Sequence, residues 1–368
     1  MNFSNISPTE IYAGVGCVLS FNNYSRFGSR CAIITGKNMI NHNSALQDVQ
    51  SALKKENIQY ISIPKAINNP SVKSIIDISS IVRSFNADFI IGIGGGSSMD
   101  TAKAVAIAAV NEDLNENNIF SVDLYAHSLP VILVGTTAGT GSEVMPSAVL
   151  TVDGIIPIKK SLKTHNSYAQ IALCDYTYSS SMPDSITVST ALDTVCHAVE
   201  AIYSKRGGIW ARIFGHEALK YSFKSILSFT KGIRDNDLRE NLYFASILGG
   251  LAINNGGTSF PHSMGYMLTT MHDVPHGFAC AAFIGEFMYR VSQICDVSET
   301  LTSCGVKTVD DFIIEINHVL FKYFTKLNID EMSLHKYADL AMKMNVNNNY
   351  LNITFNDCLN IYKKTCRS

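Results

Sequence analysis

As far as residue 183, short apolar runs alternate with polar, helix-length stretches, and the runs have the length of buried strands. Cys31-Ala32-Ile33-Ile34-Thr35, closed by Gly36, is the first, and Tyr60-Ile61-Ser62-Ile63 the second. Phe89-Ile90-Ile91-Gly92-Ile93, Val131-Ile132-Leu133-Val134 and Ile171-Ala172-Leu173-Cys174 follow. Helices are expected over 45–55, 74–83 and 102–110. Strands alternating with helices predict a parallel sheet covered on both faces. At Met182-Pro183-Asp184 the pattern changes to helical spacing. Val188, Ala191, Leu192, Val195, Val199 and Ile202 mark one helix, and Lys205-Arg206 with Gly207-Gly208 is expected to end it. Further helices are expected near 209–229, 238–254 and 309–327, with Asn345–Asn349 a polar loop. The fold class is thus α/β plus all-α: a Rossmann-like domain over 1–183 and a helical domain over 184–368.

Composition narrows the choice of partner. With 368 residues, 46% hydrophobic and 16% charged, the chain can bury more than one core. The charge is −2, from 29 basic and 31 acidic residues, which gives no broad attraction to nucleic acid or an anionic membrane. A small molecule is the expected partner. Nine scattered cysteines without a C-x-x-C motif, and a polar Met1-Asn2-Phe3-Ser4-Asn5 start without a signal-like apolar segment, suggest a reducing, cytoplasmic setting.

Two loops carry candidate chemistry in the first half. Gly92-Ile93-Gly94-Gly95-Gly96-Ser97-Ser98-Met99-Asp100-Thr101-Ala102-Lys103 follows a strand and opens a helix. Glycines there let backbone N–H groups approach a phosphate. The segment is neither a Walker A loop nor a regular G-x-G-x-x-G, since Ser97 takes the third glycine's place. Thr136-Thr137-Ala138-Gly139-Thr140-Gly141-Ser142-Glu143 follows the fourth strand, where ligands meet an open sheet. Each alone could be an ordinary loop; together they favour pyrophosphate binding.

In the second half, Asp193 and His197 lie one turn apart on a helix that is apolar on both sides. His262, His272 and His276 fall within fifteen residues downstream. Asp193, His197 and two of these would supply three nitrogens and one oxygen, a set suited to Fe(II) or Zn(II).

These residues resemble the iron-containing (group III) alcohol dehydrogenases across nearly the whole chain. The resemblance is carried by Gly94-Gly95-Gly96-Ser97 with Asp100 and Lys103, by Thr136 to Glu143, by Ala191-Leu192-Asp193 with His197, and by His262 with Pro275-His276-Gly277. It implies a dehydroquinate-synthase-like pair of domains with the active cleft between them, and usually a homodimer. It implies that Asp193, His197, His262 and His276 hold one divalent metal, iron first and zinc second. It implies that Gly95, Gly96 and Ser97 hold the pyrophosphate, with Gly94, Asp100 and Ser142 in the same cofactor motifs. Thr136, Thr137, Thr140 and Lys159 would line the cofactor site, and Asn69 would lie near substrate and nicotinamide. The implied reaction is hydride transfer between NAD(P)(H) and a small alcohol or aldehyde, the metal polarising its oxygen.

Two departures stand out. Gly36 occupies the position where NAD-preferring relatives usually carry an aspartate for the ribose 2′-hydroxyl. Without that carboxylate, Lys37 or Asn38 could meet a 2′-phosphate, so NADP(H) is expected to be preferred over NAD(H). Tyr266 stands where many relatives have a proton-relaying histidine, which leaves Tyr266 or His272 as the candidate relay. Two other readings compete: a non-redox, dehydroquinate-synthase-like lyase that also uses metal and NAD, and a redox-inactive cofactor-binding protein.

Overall fold

The structure is a computed structural model and describes all residues except 1–4, 6, 38, 124–125, 155–156, 325–326 and 367–368. It divides into two compact units, residues 6–182 and residues 183–368, and Asn5 belongs to the second of them. The first unit runs β1 (Glu10–Ala13), α1 (Cys17–Ser20), β2 (Arg30–Gly36), α2 (Ala45–Lys55), β3 (Gln59–Ala66), α3 (Val72–Phe85), β4 (Phe89–Gly94) and α4 (Gly96–Val110). It continues with β5 (Val131–Gly135), β6 (Ala148–Val152), β7 (Ile158–Leu162) and β8 (Ile171–Cys174). Six strands form a sheet in the order β1-β8-β5-β4-β2-β3, every pair parallel.

Alternation along the strands explains how both faces are covered. Ala32, Ile34, Ile90, Val131 and Leu133 point into a core shared with α3 and α4. Cys31, Ile33, Phe89, Ile91, Ile93, Ile132 and Val134 point to the opposite core, shared with α1 and α2. The five strands read from the sequence are all present. The short β1 was not anticipated, because its four residues are all exposed at the sheet edge and its apolar run, Ile11-Tyr12-Ala13, is only three residues long. The antiparallel pair β6–β7 was also missed, since Ile158-Lys159-Lys160-Ser161-Leu162 is mostly polar.

Helix α4 begins at Gly96, six residues before the expected Ala102, with Gly95 as its N-cap and Ser97, Ser98 and Met99 completing the first turn. Tight packing makes that possible. A Cβ on Gly92 would sit 2.5 Å from the Ala102 Cβ, so only glycine lets the helix lie this close to its strand.

The second unit is helical: α5 (Asp184–Ile202), α6 (Ile209–Thr230), α7 (Asn236–Gly256), α8 (Phe260–His272) and α9 (His276–Ser292), then α10 (Ser298–Cys304), α11 (Val309–Tyr323), α12 (Glu331–Met342) and α13 (Phe355–Cys366). Two sequence expectations are corrected here. Helix α5 stops at Ile202 with Tyr203 as its cap, so Lys205 to Gly208 lie beyond it. The Ser204 hydroxyl is responsible: it accepts the Arg206 and Gly207 N–H groups and ends the helix early. The Asn345–Asn349 stretch is a turn, but Asn348 and Asn349 are buried. Asn348 donates to the Gly256 and Thr258 carbonyls, and Asn349 to the Ser259 hydroxyl and the Val346 carbonyl, tying the α7–α8 junction. Among the described residues no helix is long and apolar enough to cross a membrane.

Candidate metal centre and dinucleotide loops

Helix α5 carries Asp193 and His197 one turn apart, both buried. Two glycines let neighbouring helices come close enough to add to them. Gly277, in the first turn of α9, lies so near α5 that a Cβ there would stand 1.6 Å from the Ser189 carbonyl oxygen. Gly265 in α8 lies against α9, where a Cβ would stand 3.0 Å from the Ala279 carbonyl. Backbone approach of this kind is closed to any larger residue. It brings His262 of α8 and His276 of α9 to the Asp193 carboxylate. The Nε2 atoms of His197, His262 and His276 stand 3.7, 3.4 and 3.8 Å from the one oxygen Asp193 Oδ1.

Three imidazole nitrogens thus surround one carboxylate oxygen, though His197 is not among the donors that lie mutually close. Asp193 Oδ1 and His262 Nε2 are buried and make no hydrogen bond. Polar atoms left in that condition are costly inside a protein and call for a ligand. The donor atoms of Asp193, His262, His276 and Cys280 all lie within 4.8 Å of one another, close enough to share one ion. The residues present therefore fit a divalent metal. The surrounding charges agree. Burial opposes the charged Asp193 carboxylate, but the His197, His276 and His262 rings outweigh it and hold its pKa well below the usual range. Burial likewise opposes protonated His262, yet Cys280, Glu200 and Asp193 around it raise its pKa well above the ordinary value.

Glu200 completes this arrangement and was not singled out from the sequence. It is fully buried on α5, and its Oε2 pairs with His262 Nδ1. Its Oε1 accepts the Ser259 and His262 backbone N–H groups at 2.7 and 3.3 Å. A carboxylate on the far nitrogen fixes which ring nitrogen of His262 faces the centre. The signal was available: Glu200 lies seven residues after Asp193, on the same helix face, in a helix buried all round.

Tyr266 stacks on His276 with ring centroids 5.2 Å apart, so it forms part of the wall. Burial pushes its phenol up to about 12, which keeps the proton on it at neutral pH. His272 is placed elsewhere. Its Nε2 lies 3.0 Å from the Tyr337 hydroxyl, near the end of α8.

In the first unit, the two candidate loops face each other. A Cβ on Gly95 would meet the Thr137 side chain at 3.0 Å, and one on Gly96 would meet Thr140 at 2.8 Å. Gly94 has φ of 145°, a conformation only glycine adopts readily, and its carbonyl accepts the Thr136 N–H at 2.9 Å. Asp100 and Ser142 are engaged with each other, the hydroxyl donating to Oδ1 at 2.6 Å, and Asp100 Oδ2 accepts the Val149 N–H. Buried Lys103 donates to the Ser142 hydroxyl and to the Ser142, Met145 and Ser147 carbonyls. These three side chains shape the second loop. Ser97 and Asn69 meet as well, the Asn69 N–H donating to the Ser97 hydroxyl at 3.3 Å. Lys159 donates to Asn69 Oδ1 and to Thr151 Oγ1, both at 2.8 Å, and burial lowers its pKa to about 8. Asn69, with φ of 56°, is held from several sides. At the end of β2, among the described residues only the Ala66 carbonyl and the Ser98 hydroxyl lie near the Gly36 Cβ position, at 3.9 and 4.0 Å, and Lys37 is exposed. Asn38 lies outside the described residues.

Comparison with known proteins covers both units. Residues 8–176 match the profile described as iron-containing alcohol dehydrogenase, and 187–366 match that of the Fe-containing alcohol dehydrogenase family, C-terminal. An NAD-dependent methanol dehydrogenase of Bacillus methanolicus is 27% identical over 68% of this chain and 66% of its own length, just under two thirds. An NADPH-dependent butanol dehydrogenase of Clostridium saccharobutylicum is 26% identical over 75% of this chain and 71% of its own. The crystal structure of sulfoacetaldehyde reductase from Bifidobacterium kashiwanohense in complex with NAD+ superposes with a TM-score of 0.90, at 25% identity, covering 100% of this chain and 99% of that one.

Proposed function

This chain belongs to the iron-containing alcohol dehydrogenase family, and from that premise we propose that it interconverts a small alcohol and its carbonyl compound by hydride transfer with NADP(H), at one divalent metal. The observation that carries the reading is the meeting of three imidazole nitrogens, 3.4 to 3.8 Å away, on a single buried carboxylate oxygen. The relatives are alcohol dehydrogenases and an aldehyde reductase, which leaves the lyase reading without support.

Asp193, His197, His262 and His276 would hold the ion, with iron the first expectation and zinc the second. When bound, such an ion supplies a Lewis acid that polarises the alcohol or carbonyl oxygen, and the nicotinamide supplies or accepts the hydride. The protein's own groups do the rest. Asp193 contributes the negative charge that offsets the cation. Glu200 holds the His262 ring with Nε2 forward; Glu200→Gln is expected to weaken metal binding about 10–100-fold, the usual effect of losing such an outer partner. A competition titration against a chelator reads that loss, and unchanged affinity would refute the role. Tyr266 lines the centre beside His276 and keeps its proton, so it serves as a hydrogen-bond donor. His272, turned to Tyr337, is not assigned a part in the relay.

The free N–H groups at the start of α4, with Gly95 and Gly96 clearing the way, would take the pyrophosphate, and Thr136, Thr137 and Thr140 its surroundings. Ser97, Asn69 and Lys159 support one another beside that loop. The preference for NADP(H) rests on Gly36. No carboxylate repels a 2′-phosphate there, and exposed Lys37 offers a positive charge. Gly36→Asp, for which the backbone has room, should favour NAD(H) by roughly tenfold or more, since like charges about 4 Å apart repel by ~1–4 kcal/mol. The ratio of kcat/KM for the two cofactors measures it; a native enzyme already faster with NAD(H) would defeat the preference. A homodimer in the cytoplasm is the setting this reading carries, and sedimentation of the purified protein tests the assembly. Screening short alcohols, diols and aldehydes with both cofactors, after loading with Fe(II) or Zn(II), tests the activity itself.

A further inference from the structure

Cys280 is not one of the four ligands assigned above, although its sulfur lies among their donor atoms. It follows His276 by four residues on α9, so both side chains leave the same helix face. Its Sγ lies 3.7 Å from His276 Nε2. Among the described residues, the donor atoms found within 4.8 Å of one another are those of Asp193, His262, His276 and this sulfur. Two of the other three, Asp193 Oδ1 and His262 Nε2, are aimed into the same space without a hydrogen bond, on side chains only 5% and 2% exposed.

We propose that Cys280 is a thiolate donor to the ion at this centre and that it tilts the centre's selectivity from Fe(II) toward Zn(II). The inference rests on reading the cluster as a metal centre. Its physical basis is donor softness: thiolate sulfur favours zinc, whereas a set of imidazole and carboxylate alone discriminates less between zinc and iron. The sulfur is buried within one α-helical turn of an established donor candidate, so it reaches the ion without a change of backbone. On binding, the S–H bond breaks, a sulfur–metal bond forms and the proton leaves to solvent; no electron is transferred.

The test uses the full-length protein, stripped with a chelator and reloaded with Co(II) as a spectroscopic probe. The native protein should show thiolate-to-cobalt charge-transfer absorption, and Cys280→Ser should lose it while still binding Co(II). In competition between Zn(II) and Fe(II), Cys280→Ser should lose Zn(II) affinity by about 10–100-fold or more, at least the effect of disturbing an outer partner of a ligand, with a smaller loss for Fe(II). Cys280→Ala provides a second variant should a hydroxyl disturb the buried site, and the native cobalt spectrum depends on neither substitution. Stoichiometric Co(II) binding without the charge-transfer band, or an unchanged Zn(II)/Fe(II) ratio in the variants, overturns the role of Cys280 and leaves the metal centre standing. Failure of the native protein to bind any of the three ions overturns both.

Discussion

Asp193→Ala is expected to lower turnover by roughly 10³-fold or more, because polarisation by a bound cation is worth several kcal/mol and about 1.4 kcal/mol is a factor of ten. Asp193 is the common neighbour of the cluster: its Oδ1 is the atom on which His197, His262 and His276 converge. Removing it takes away the carboxylate of that cluster and leaves three imidazoles, those of His197 and His262 buried, to face a dication without an opposing charge. The loops that would carry the dinucleotide lie on other elements, β4–α4 and the segment after β5, so cofactor affinity should be nearly unchanged. Steady-state rates and a fluorescence titration with NADPH separate the two effects. An Asp193→Ala protein that turns over normally would remove the metal from the mechanism.

Gly277→Ala is expected to produce the largest loss of stability from a single methyl group. Ordinarily alanine in a helix is better than glycine by up to about 1 kcal/mol. Here the added Cβ would stand 1.6 Å from the Ser189 carbonyl oxygen and 3.1 Å from the Asp193 nitrogen, and both are backbone atoms that cannot rotate aside. Overpacking of this kind costs about 3 kcal/mol, or a fall in melting temperature of roughly 6–12 °C. The same displacement would move His276 away from Asp193, so metal affinity should fall with it. Gly208→Ala is the control, since nothing lies within 4 Å of its Cβ position and its φ is negative. Equal melting temperatures for the two variants would contradict the close approach of α9 to α5.

The sheet was legible because its buried strands are nearly pure apolar runs, as in Phe89 to Ile93, and burial on both faces leaves no alternation to confuse them. The helices that bring the histidines together were not. Pro261, Gly265, Pro275 and Gly277 break the periodicity of α8 and α9 and resemble loop residues when read one by one. In the fold, Pro261 sits in the first turn, where a missing N–H costs nothing, and the glycines are contact points between helices. Side-chain direction was equally out of reach. His272 belongs to the same cluster in sequence as His262 and His276, yet ten residues after His262 it leaves the far end of α8 and bonds Tyr337. Glu200 and Cys280 carried the right spacing, seven residues from Asp193 and four from His276, but a lone glutamate or cysteine on a helix has no specificity until its neighbours are placed. Asp100, Lys103 and Ser142 show the same limit, since their hydrogen bonds to one another cannot be read from the motif spacing.

The measurement that bears most directly on this account follows the hydride itself. A primary alcohol carrying deuterium at the reacting carbon would be incubated with NADP+ and the enzyme, once reloaded with Zn(II) or Fe(II) and once stripped of metal, and the nicotinamide product examined by NMR. The account predicts deuterium at C4 of the reduced ring with the reloaded enzyme and none above background with the stripped one. Deuterium appearing equally without metal, or reduced cofactor forming without deuterium at C4, would contradict it.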